Sequence, residues 1–547
     1  MDIPRWTPSQ TVSNAEQYLL SRLRRTRKLF AFLRLHRDEL FDEAFQTELA
    51  GMYRSTGAGK APCAPALLAM ASLLQGYLGV SDAEAVELTV VDRRWQLVLD
   101  RLGQDQPAFS QGTLHDFRAR LIRHNLDQRL LEKTVEVARR TGAFDAKQLR
   151  QKLRLAVDSA PFEGAGRVED TINLLWHAAG KVMDVVSLLL ERDKATLCQE
   201  AGIPLLLASS AKRGLDVDWS EPAAKQQALD QLVNELESLV AWLSVSQREA
   251  LQAPILAEPL AVIGQVVAQD LEPAPAGEGL QVREGVAKDR RISIEDAEMR
   301  HGRKSASRVI NGYKRHVAVD LDTELVVACA VTPANVPEKE AAPQLEADLA
   351  AQAFEVEELN IDQAYVDSTL AHRTAAQGGQ VLCRPRGCHN GPLFSKTHFR
   401  LDLETSMATC PAGQSRPIQL GKVTQFVPEV CTPCTLRARC TEAKHGRGRT
   451  LSVPLDEPVQ QERRRQVQTP EGRQRLRERV KVEHRLAHVV ARQGEQARYR
   501  GVRKNLYDLR RTAALGNLET LQRKGQRATP LPAQQAAVVA LPELAAA

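Results

Sequence analysis

The stretch "LRLAVDSAPFEGAGRVEDTINLLW", residues 153–176, decides the fold, because it joins a strand pattern to a helix pattern through an acid. Apolar side chains alternate with others over residues 151–158, as in a strand with one buried face. One face would carry Leu153, Leu155 and Val157, and the other Arg154, Ala156 and Asp158. We predict that the strand ends at Asp158. Acids are common turn residues at strand ends, so a plain turn role for Asp158 stays open.

The same pattern recurs in "EVEELNIDQAYVDS", where Leu359 and Ile361 lead directly into Asp362. Between the two acids, residues 311–335 read as two strands around an Asp-Thr turn, which predicts a hairpin. "GGQVLCRPRG" adds one more short strand. Strands and helices in this order predict a mixed five-stranded sheet flanked by helices, an α/β fold.

The chain has 547 residues, which suggests roughly three to four domains. Its segments differ in pattern from one end to the other. We predict a helical N-terminal domain (1–145), the first part of the α/β core (150–385) with a helical insertion at about 176–285, an inserted cysteine-bearing module (386–460), the final basic helices of the core (461–525) and a disordered tail (526–547).

The charge of the chain is concentrated in one segment. The net charge is only +6, yet residues 461–525 hold 18 Lys and Arg against 7 Asp and Glu, a local excess of 11. Such an excess suits phosphates, although a solvated helix surface is the alternative. We expect no apolar stretch of the ~18 residues that span a bilayer, and "MDIPRWTPSQ" lacks the pattern of a signal peptide. The expectation is a soluble cytoplasmic protein.

A third acid stands in "EGRQRLRERVKVEHRLAHVVARQ", residues 471–493, which we predict to be one helix. Glu483 falls on its predicted apolar stripe, where a carboxylate is costly unless it is paired or binds a metal. Arg479, four residues earlier, offers a simple salt bridge. The alternative is that Glu483 joins Asp158 and Asp362 and that the three hold two Mg²⁺ ions about 4 Å apart, an arrangement suited to phosphodiester chemistry. The predicted stripe consists of Leu476, Val480, Ala487 and Val490.

Four of the nine cysteines lie close together in the sequence, at Cys410, Cys431, Cys434 and Cys440. Tetrahedral zinc takes four such ligands, and a C-x2-C pair supplies two of them from one turn. We predict structural Zn²⁺ here, with reduced unliganded thiols as the alternative. His445 is a substitute for one ligand.

Several segments together resemble the DDE transposases of bacterial insertion sequences, which have an RNase H-like core. The resemblance rests on "AVDSAPFEGAGRVEDTINLL", "MRHGRKSASRVINGYKRHVAVD", "LNIDQAYVDS" and "RERVKVEHRLAHVVARQGEQARYRGVRKNLYDLRRTAALGNLETL". "PALLAMASLLQGYLGVSDAEAVE" and "FSQGTLHDFRARL" are similar to the helical N-terminal domain of such proteins. Relatives often frame the glutamate with a tyrosine and a lysine, whereas Leu476 and Val490 stand at those places here.

The resemblance implies that Asp158, Asp362 and Glu483 are the catalytic triad and hold two Mg²⁺ or Mn²⁺ ions. It implies DNA cleavage at terminal inverted repeats and strand transfer into target DNA, by a homodimer or higher oligomer in the bacterial cytoplasm, on the nucleoid and not on a membrane. A catalytically inactive DNA-binding regulator and an RNase H-like nuclease without strand transfer are the alternatives. The predicted DNA contacts are Arg479, Lys481, Arg485, Arg500, Arg503 and Lys504.

Overall fold

A computed structural model describes residues 3–23, 28–54, 62–140, 144, 150–275, 279–304, 308–444 and 446–528. Residues 529–547 of the predicted tail lie outside this part of the chain.

Helices make up about half of the residues that the structure describes. They are α1 (Asn14–Arg22), α2 (Lys28–Leu40), α3 (Glu43–Ala50), α4 (Pro65–Leu78), α5 (Asp82–Val91), α6 (Arg93–Leu99), α7 (Gln111–Arg123), α8 (Leu126–Arg140), α9 (Thr171–Leu190), α10 (Lys194–Glu200), α11 (Ala211–Leu215), α12 (Pro222–Ser246), α13 (Arg248–Leu251), α14 (Pro254–Asp270), α15 (Ala342–Ala351), α16 (Thr369–Ala376), α17 (Pro428–Cys431), α18 (Arg437–Cys440), α19 (Glu457–Gln468), α20 (Pro470–Arg477), α21 (Val480–Gln493) and α22 (Val502–Ala528).

The strands form one central sheet and three small ones. They are β1 (Lys152–Glu163), β2 (Leu271–Pro273), β3 (Leu280–Val282), β4 (Arg300–Arg303), β5 (Val309–Asp320), β6 (Val326–Pro333), β7 (Glu355–Asn360), β8 (Gln380–Leu382), β9 (Arg400–Asp402), β10 (Met407–Thr409), β11 (Ser415–Pro417), β12 (Lys422–Gln425) and β13 (Thr450–Val453).

The central sheet is mixed, with the strand order β6-β5-β1-β7-β8. β5 is antiparallel to β1 and to β6, whereas β1, β7 and β8 run parallel. The mixed α/β class predicted from the sequence is therefore confirmed. The sheet also has a sixth strand, β4, which pairs with the first residues of β5. A glycine makes this possible, because a Cβ on Gly302 would lie 2.2 Å from the carbonyl oxygen of Ala334.

The predicted end of the first strand is wrong, since β1 continues five residues beyond Asp158. The continuation pairs with β5, from Ser159 opposite His316 to Glu163 opposite Gly312. Pairing with β7 stops earlier, at Ala156 opposite Asn360. Asp158 thus lies inside a strand, just past the point where its parallel neighbour has ended.

The sheet has a different hydrophobic core on each face. Leu153, Leu155 and Val157 of β1 pack with α15 and α16, as their alternation predicted. On the other face, Ala156 and Phe162 join a larger core that includes α21, α22 and the N-terminal helices. The N-terminal helices and the last helix of the chain therefore share one core.

The helical insertion has its own core, formed by α9 to α14. It begins earlier than predicted, at Thr171, because Asp170 caps α9 by accepting a hydrogen bond from the Asn173 amide. Among the described helices, α9 is long and apolar enough to cross a membrane by length and composition, and the bent pair of α4 and α5 passes the same test if counted as one span. α9 nevertheless carries Lys181 and Asp184, and one face of it packs inside the insertion.

The cysteine-bearing segment folds around a small core of its own, with β9 to β13 and the short helices α17 and α18. Phe394, Phe399, Phe426 and Leu451 are buried there. The residues between β8 and α19 therefore have a hydrophobic core of their own.

Candidate active site

Asp158 and Asp362 lie just past the point where the parallel pairing of β1 and β7 stops. Ala156 of β1 lies opposite Asn360 of β7, and each aspartate follows two residues later in its own chain segment. Asp362 begins a short 3₁₀ helix, where its carboxylate accepts a hydrogen bond of 3.0 Å from the Ala364 amide. The carboxylate of Asp158 accepts one of 2.9 Å from the amide of Ser159.

α21 carries Glu483 to these two acids. The helix packs on β1 and β5 through Val482, Leu486 and Val489, which are all buried. Glu483 lies on its first turn, with 49% of its side chain exposed. The predicted stripe is wrong: residues 471–493 form two helices, with the break at 478–479. Of its members, Leu476 lies in α20 and Val480 is 45% exposed, and Ala487 and Val490 are not buried.

One guanidinium group holds all three acids together. Nη2 of Arg479 lies 2.9 Å from Oδ1 of Asp158 and 3.9 Å from Oδ2 of Asp362. Nη1 lies 3.2 Å from Oε1 of Glu483. The predicted i,i+4 pair therefore exists, and so does the convergence of the three acids that was its alternative.

The electrostatics of the site are reflected in the pKa of the Asp158 carboxyl group. Burial raises the pKa of its carboxyl group above the usual range, and the carboxylates of Asp362 and Glu483 add to the rise. The positive charge of Arg479 acts in the opposite direction. A cation beside this partly buried carboxyl group therefore favours its ionised form.

Sequence reasoning missed a fourth carboxylate, Glu338. Burial raises its pKa, the neighbouring carboxylate of Asp362 raises it further, and Lys314 opposes the rise. Its side chain hydrogen-bonds to that of Ser159, which follows Asp158. The segment "TPANVPEKE" has the pattern of an ordinary helix start and gave no signal for this placement.

Behind the acids lies a buried polar chain, which was also missed. Tyr365 hydrogen-bonds to Ser159 and, at 2.6 Å, to Nδ1 of His316. Nε2 of His316 lies 3.0 Å from the hydroxyl of Thr332. These residues stabilise the backbone next to Asp158 and Asp362.

The donor set suits a hard cation, because carboxylate oxygens are what Mg²⁺ prefers. Within the described ranges, however, no group of three or more His, Cys, Asp or Glu side chains is arranged to hold a metal ion. The three acids are arranged around the guanidinium nitrogen atoms of Arg479.

The six predicted DNA contacts have different surroundings. Arg485 is 7% exposed and lies 3.5 Å from Glu324, and Arg503 pairs with the buried Asp127. Neither can reach a phosphate without leaving its partner in the protein. Nζ of Lys481 donates to the carbonyl oxygen of Leu321 at 2.7 Å. The more open side chains are Arg500, which is 53% exposed and pairs with Glu295, and the exposed Lys504.

The four predicted zinc ligands line one cavity of about 320 Å³ in the cysteine-bearing module. Cys431 and Cys434 lie in one turn, in which the Cys434 amide donates to the Cys431 carbonyl at 3.4 Å. Burial raises the pKa of the Cys440 thiol, and the other three cysteines add to the rise. The substitute ligand His445 lies outside the described residues.

Comparison with known proteins gives one match. Residues 409–522 match the family model described as the transposase DDE domain. No curated protein and no solved structure matches the chain. The matched segment contains Glu483 and the four cysteines, whereas Asp158 and Asp362 precede it. This match supports a transposase DDE domain over residues 409–522, about a fifth of the chain.

Proposed function

We propose that this chain is the transposase of a bacterial insertion sequence, which cuts DNA at terminal inverted repeats and joins the freed ends to target DNA. The observation that carries the proposal is the meeting of Asp158, Asp362 and Glu483 around Arg479. DDE transposases act on DNA and generally use divalent metals. The strand order β6-β5-β1-β7-β8 supports an RNase H-like core, with Asp158 inside β1, Asp362 just after β7 and Glu483 on a helix that packs on the sheet.

Asp158, Asp362 and Glu483 are the residues that would hold two Mg²⁺ or Mn²⁺ ions. Bound cations of this kind supply Lewis acidity at the attacking and leaving oxygens of a phosphodiester. In the first step, water attacks the phosphorus at the transposon end, the P–O3′ bond breaks and the 3′-oxygen leaves as a hydroxyl. In the second, this hydroxyl attacks a target phosphorus and displaces the 3′-oxygen of the target strand. Arg500 and Lys504 bind flanking phosphates.

The triad variants Asp158→Asn, Asp362→Asn and Glu483→Gln test the proposal with DNA that carries the element's ends. Each should fold and bind DNA while losing cleavage by at least 10³-fold, because each change removes an anionic metal ligand. A wild-type protein that binds without cutting would be a regulator, and one that cuts without joining would be a nuclease. Full cleavage by Glu483→Gln would refute the assignment of the third acid.

We also propose that the cavity formed by Cys410, Cys431, Cys434 and Cys440 takes a structural Zn²⁺ ion. Four cysteines that line one small cavity are a donor set that zinc takes, and the nearby Arg449 favours the ionised form of the Cys440 thiol. Metal analysis of the purified protein should find about one zinc per chain. The double variant Cys431→Ser/Cys434→Ser should lose it, whereas Cys63→Ser, which alters a cysteine far from the module, should keep it. Zinc-free wild-type protein would favour reduced thiols.

The proposed setting is a homodimer or higher oligomer that acts on nucleoid DNA in the cytoplasm. Light scattering of the protein with and without DNA measures this stoichiometry.

A further inference from the structure

Arg479 occupies the position at which a cation is needed. It lies at the start of α21, and its guanidinium is within 4 Å of all three triad carboxylates. It is the only Lys, Arg or His side chain in the described part of the chain that forms an ion pair with any of the three. In the metal-free protein, this single positive charge offsets part of three negative ones.

A guanidinium and a divalent ion cannot share this position. Mg²⁺ binds carboxylate oxygens at 2.0–2.1 Å and keeps several waters around it. Nη2 of Arg479 already stands 2.9 Å from Oδ1 of Asp158, on the side facing Asp362. Two cations this close also repel each other in a partly buried site, where screening by solvent is weak. Metal binding therefore requires the guanidinium to leave.

The surroundings of Arg479 allow that movement. Its Nε is buried and has no hydrogen-bond partner among the described residues, so the side chain is fixed only through its outer nitrogens. The backbone beneath it is anchored separately, because Glu478 accepts a hydrogen bond of 2.6 Å from Arg154 of β1. The side chain can swing while the start of α21 stays in place.

We propose that Arg479 is a positioning residue with two alternate partners. It neutralises the triad before metal arrives, is displaced by divalent cations, and then binds the scissile phosphate. A guanidinium binds a phosphate through two parallel hydrogen bonds, and a phosphate at the acids lies within reach of its side chain. The part of this inference that concerns the phosphate, the phosphate half, rests on the proposed function. The part that concerns displacement by divalent cations does not.

The first experiment titrates Mg²⁺ alone into DNA-free protein by calorimetry. Arg479→Gln should bind Mg²⁺ at least tenfold more tightly than wild type, because the competing cation is gone. Arg479→Lys keeps the positive charge but lacks the planar guanidinium, so its Mg²⁺ affinity should lie between those of wild type and Arg479→Gln. The matched control is Arg477→Gln, which removes an exposed arginine two residues away and should stay within twofold of wild type.

Two further measurements test the same inference. Adding Asp362→Asn to Arg479→Gln should abolish the gain in affinity, which places the ion at the triad. Without metal, Arg479→Gln should melt at a lower temperature than Arg477→Gln and should recover more on addition of Mg²⁺, because its carboxylates face one another unopposed. Equal Mg²⁺ affinity in wild type and Arg479→Gln, or no binding by either, would overturn the inference.

The second experiment repeats the titration with a 30-base-pair duplex present. DNA should raise the Mg²⁺ affinity of wild type more than that of Arg479→Gln. In wild type, the phosphate binds the Arg479 side chain and so removes it from the acids, whereas the variant has no such competing cation to remove. An equal rise in both proteins would refute the phosphate half. A failure of the proposed function appears separately, as wild-type protein that does not cut DNA.

Discussion

His316 shows how one buried residue supports the acids from behind. It is fully buried, and both ring nitrogens have partners, Tyr365 on one side and Thr332 on the other. Burial lowers the pKa of its ring to about 3, with a smaller contribution from Lys314. The ring is therefore neutral in the folded protein at neutral pH, and it donates through one nitrogen and accepts through the other.

This burial predicts a pH dependence of stability. An unfolded histidine takes up a proton near pH 6.5, whereas the folded one does so only near pH 3. The free energy of unfolding should therefore fall as the pH drops from about 6.5 towards 3, with a slope from this group of up to about 1.4 kcal/mol per pH unit. His316→Gln should lack that component in urea unfolding at pH 7.5, 6 and 5.

The control for this prediction is His115→Gln, which removes an exposed histidine of α7. Its unfolding free energy should follow the wild-type pH profile. Parallel profiles for His316→Gln and wild type would contradict the argument from burial.

At the scale of elements, buried ion pairs hold α22 against its neighbours. Arg510 is fully buried, and its guanidinium lies 3.0 Å from Asp127 of α8 and 2.6 Å from Asp348 of α15. One side chain thus ties the last helix to an N-terminal helix and to a helix of the sheet's other face. Removing one of its two partners leaves the buried charge of Arg510 only partly compensated.

We therefore expect Asp348→Ala to lower the free energy of unfolding by about 3 kcal/mol or more. The exposed pair of Arg192 and Glu200 in the insertion provides the comparison, and Glu200→Ala should lower the free energy of unfolding far less than Asp348→Ala does, because solvent screens the pair. Chemical denaturation of both variants measures the difference. Similar losses in the two would mean that burial does not decide the strength of these pairs.

The local sequence pattern predicted most helices and strands but misplaced two of their ends. Alternation identified the faces of β1 but missed its extension, because that extension depends on pairing with β5, a distant partner. Helical periodicity likewise put Glu483 on a buried stripe. The break at 478–479, stabilised by the contact of Glu478 with Arg154, shifts the buried face to Val482, Leu486 and Val489.

The position of Glu483 near Asp158 and Asp362 was predictable from the sequence only as one of two alternatives. The pattern could not decide between a local pair with Arg479 and a cluster across the sheet. Both occur, because a guanidinium has several donors and can serve three carboxylates at once. Glu338 could not be found this way, since its closeness to Asp362 depends on the turn after β6.

At the scale of the whole molecule, the basic segment 461–525 spans both surface and interior. Arg510 and Arg511 are buried in α22, whereas Arg500 and Lys504 lie outside. The excess of 11 positive charges therefore overstates what DNA can meet. Counting charges along a sequence cannot separate these two groups, because burial depends on the packing of α22 against α4 and α8.

The salt dependence of DNA binding should reflect the exposed pair. If Arg500 and Lys504 each neutralise one phosphate, Arg500→Gln/Lys504→Gln should reduce the slope of log K against log salt by roughly 1.8. Arg192→Gln/Arg213→Gln, a double change on the helical insertion, should leave the slope unchanged. Fluorescence anisotropy over a range of KCl concentrations measures both, and equal slopes for all three proteins would exclude a phosphate contact by this pair.

The shared core of the N-terminal helices and α22 also sets an order of events during synthesis. A growing chain releases α4 and α8 long before α22, so their apolar faces lack this partner until nearly the whole chain has left the ribosome. Glu483 emerges late as well, 121 residues after Asp362. An interrupted translation product that stops short of α21 thus has two acids, no Arg479 and an open core. A chain that stops before Arg479 therefore lacks part of the proposed active site.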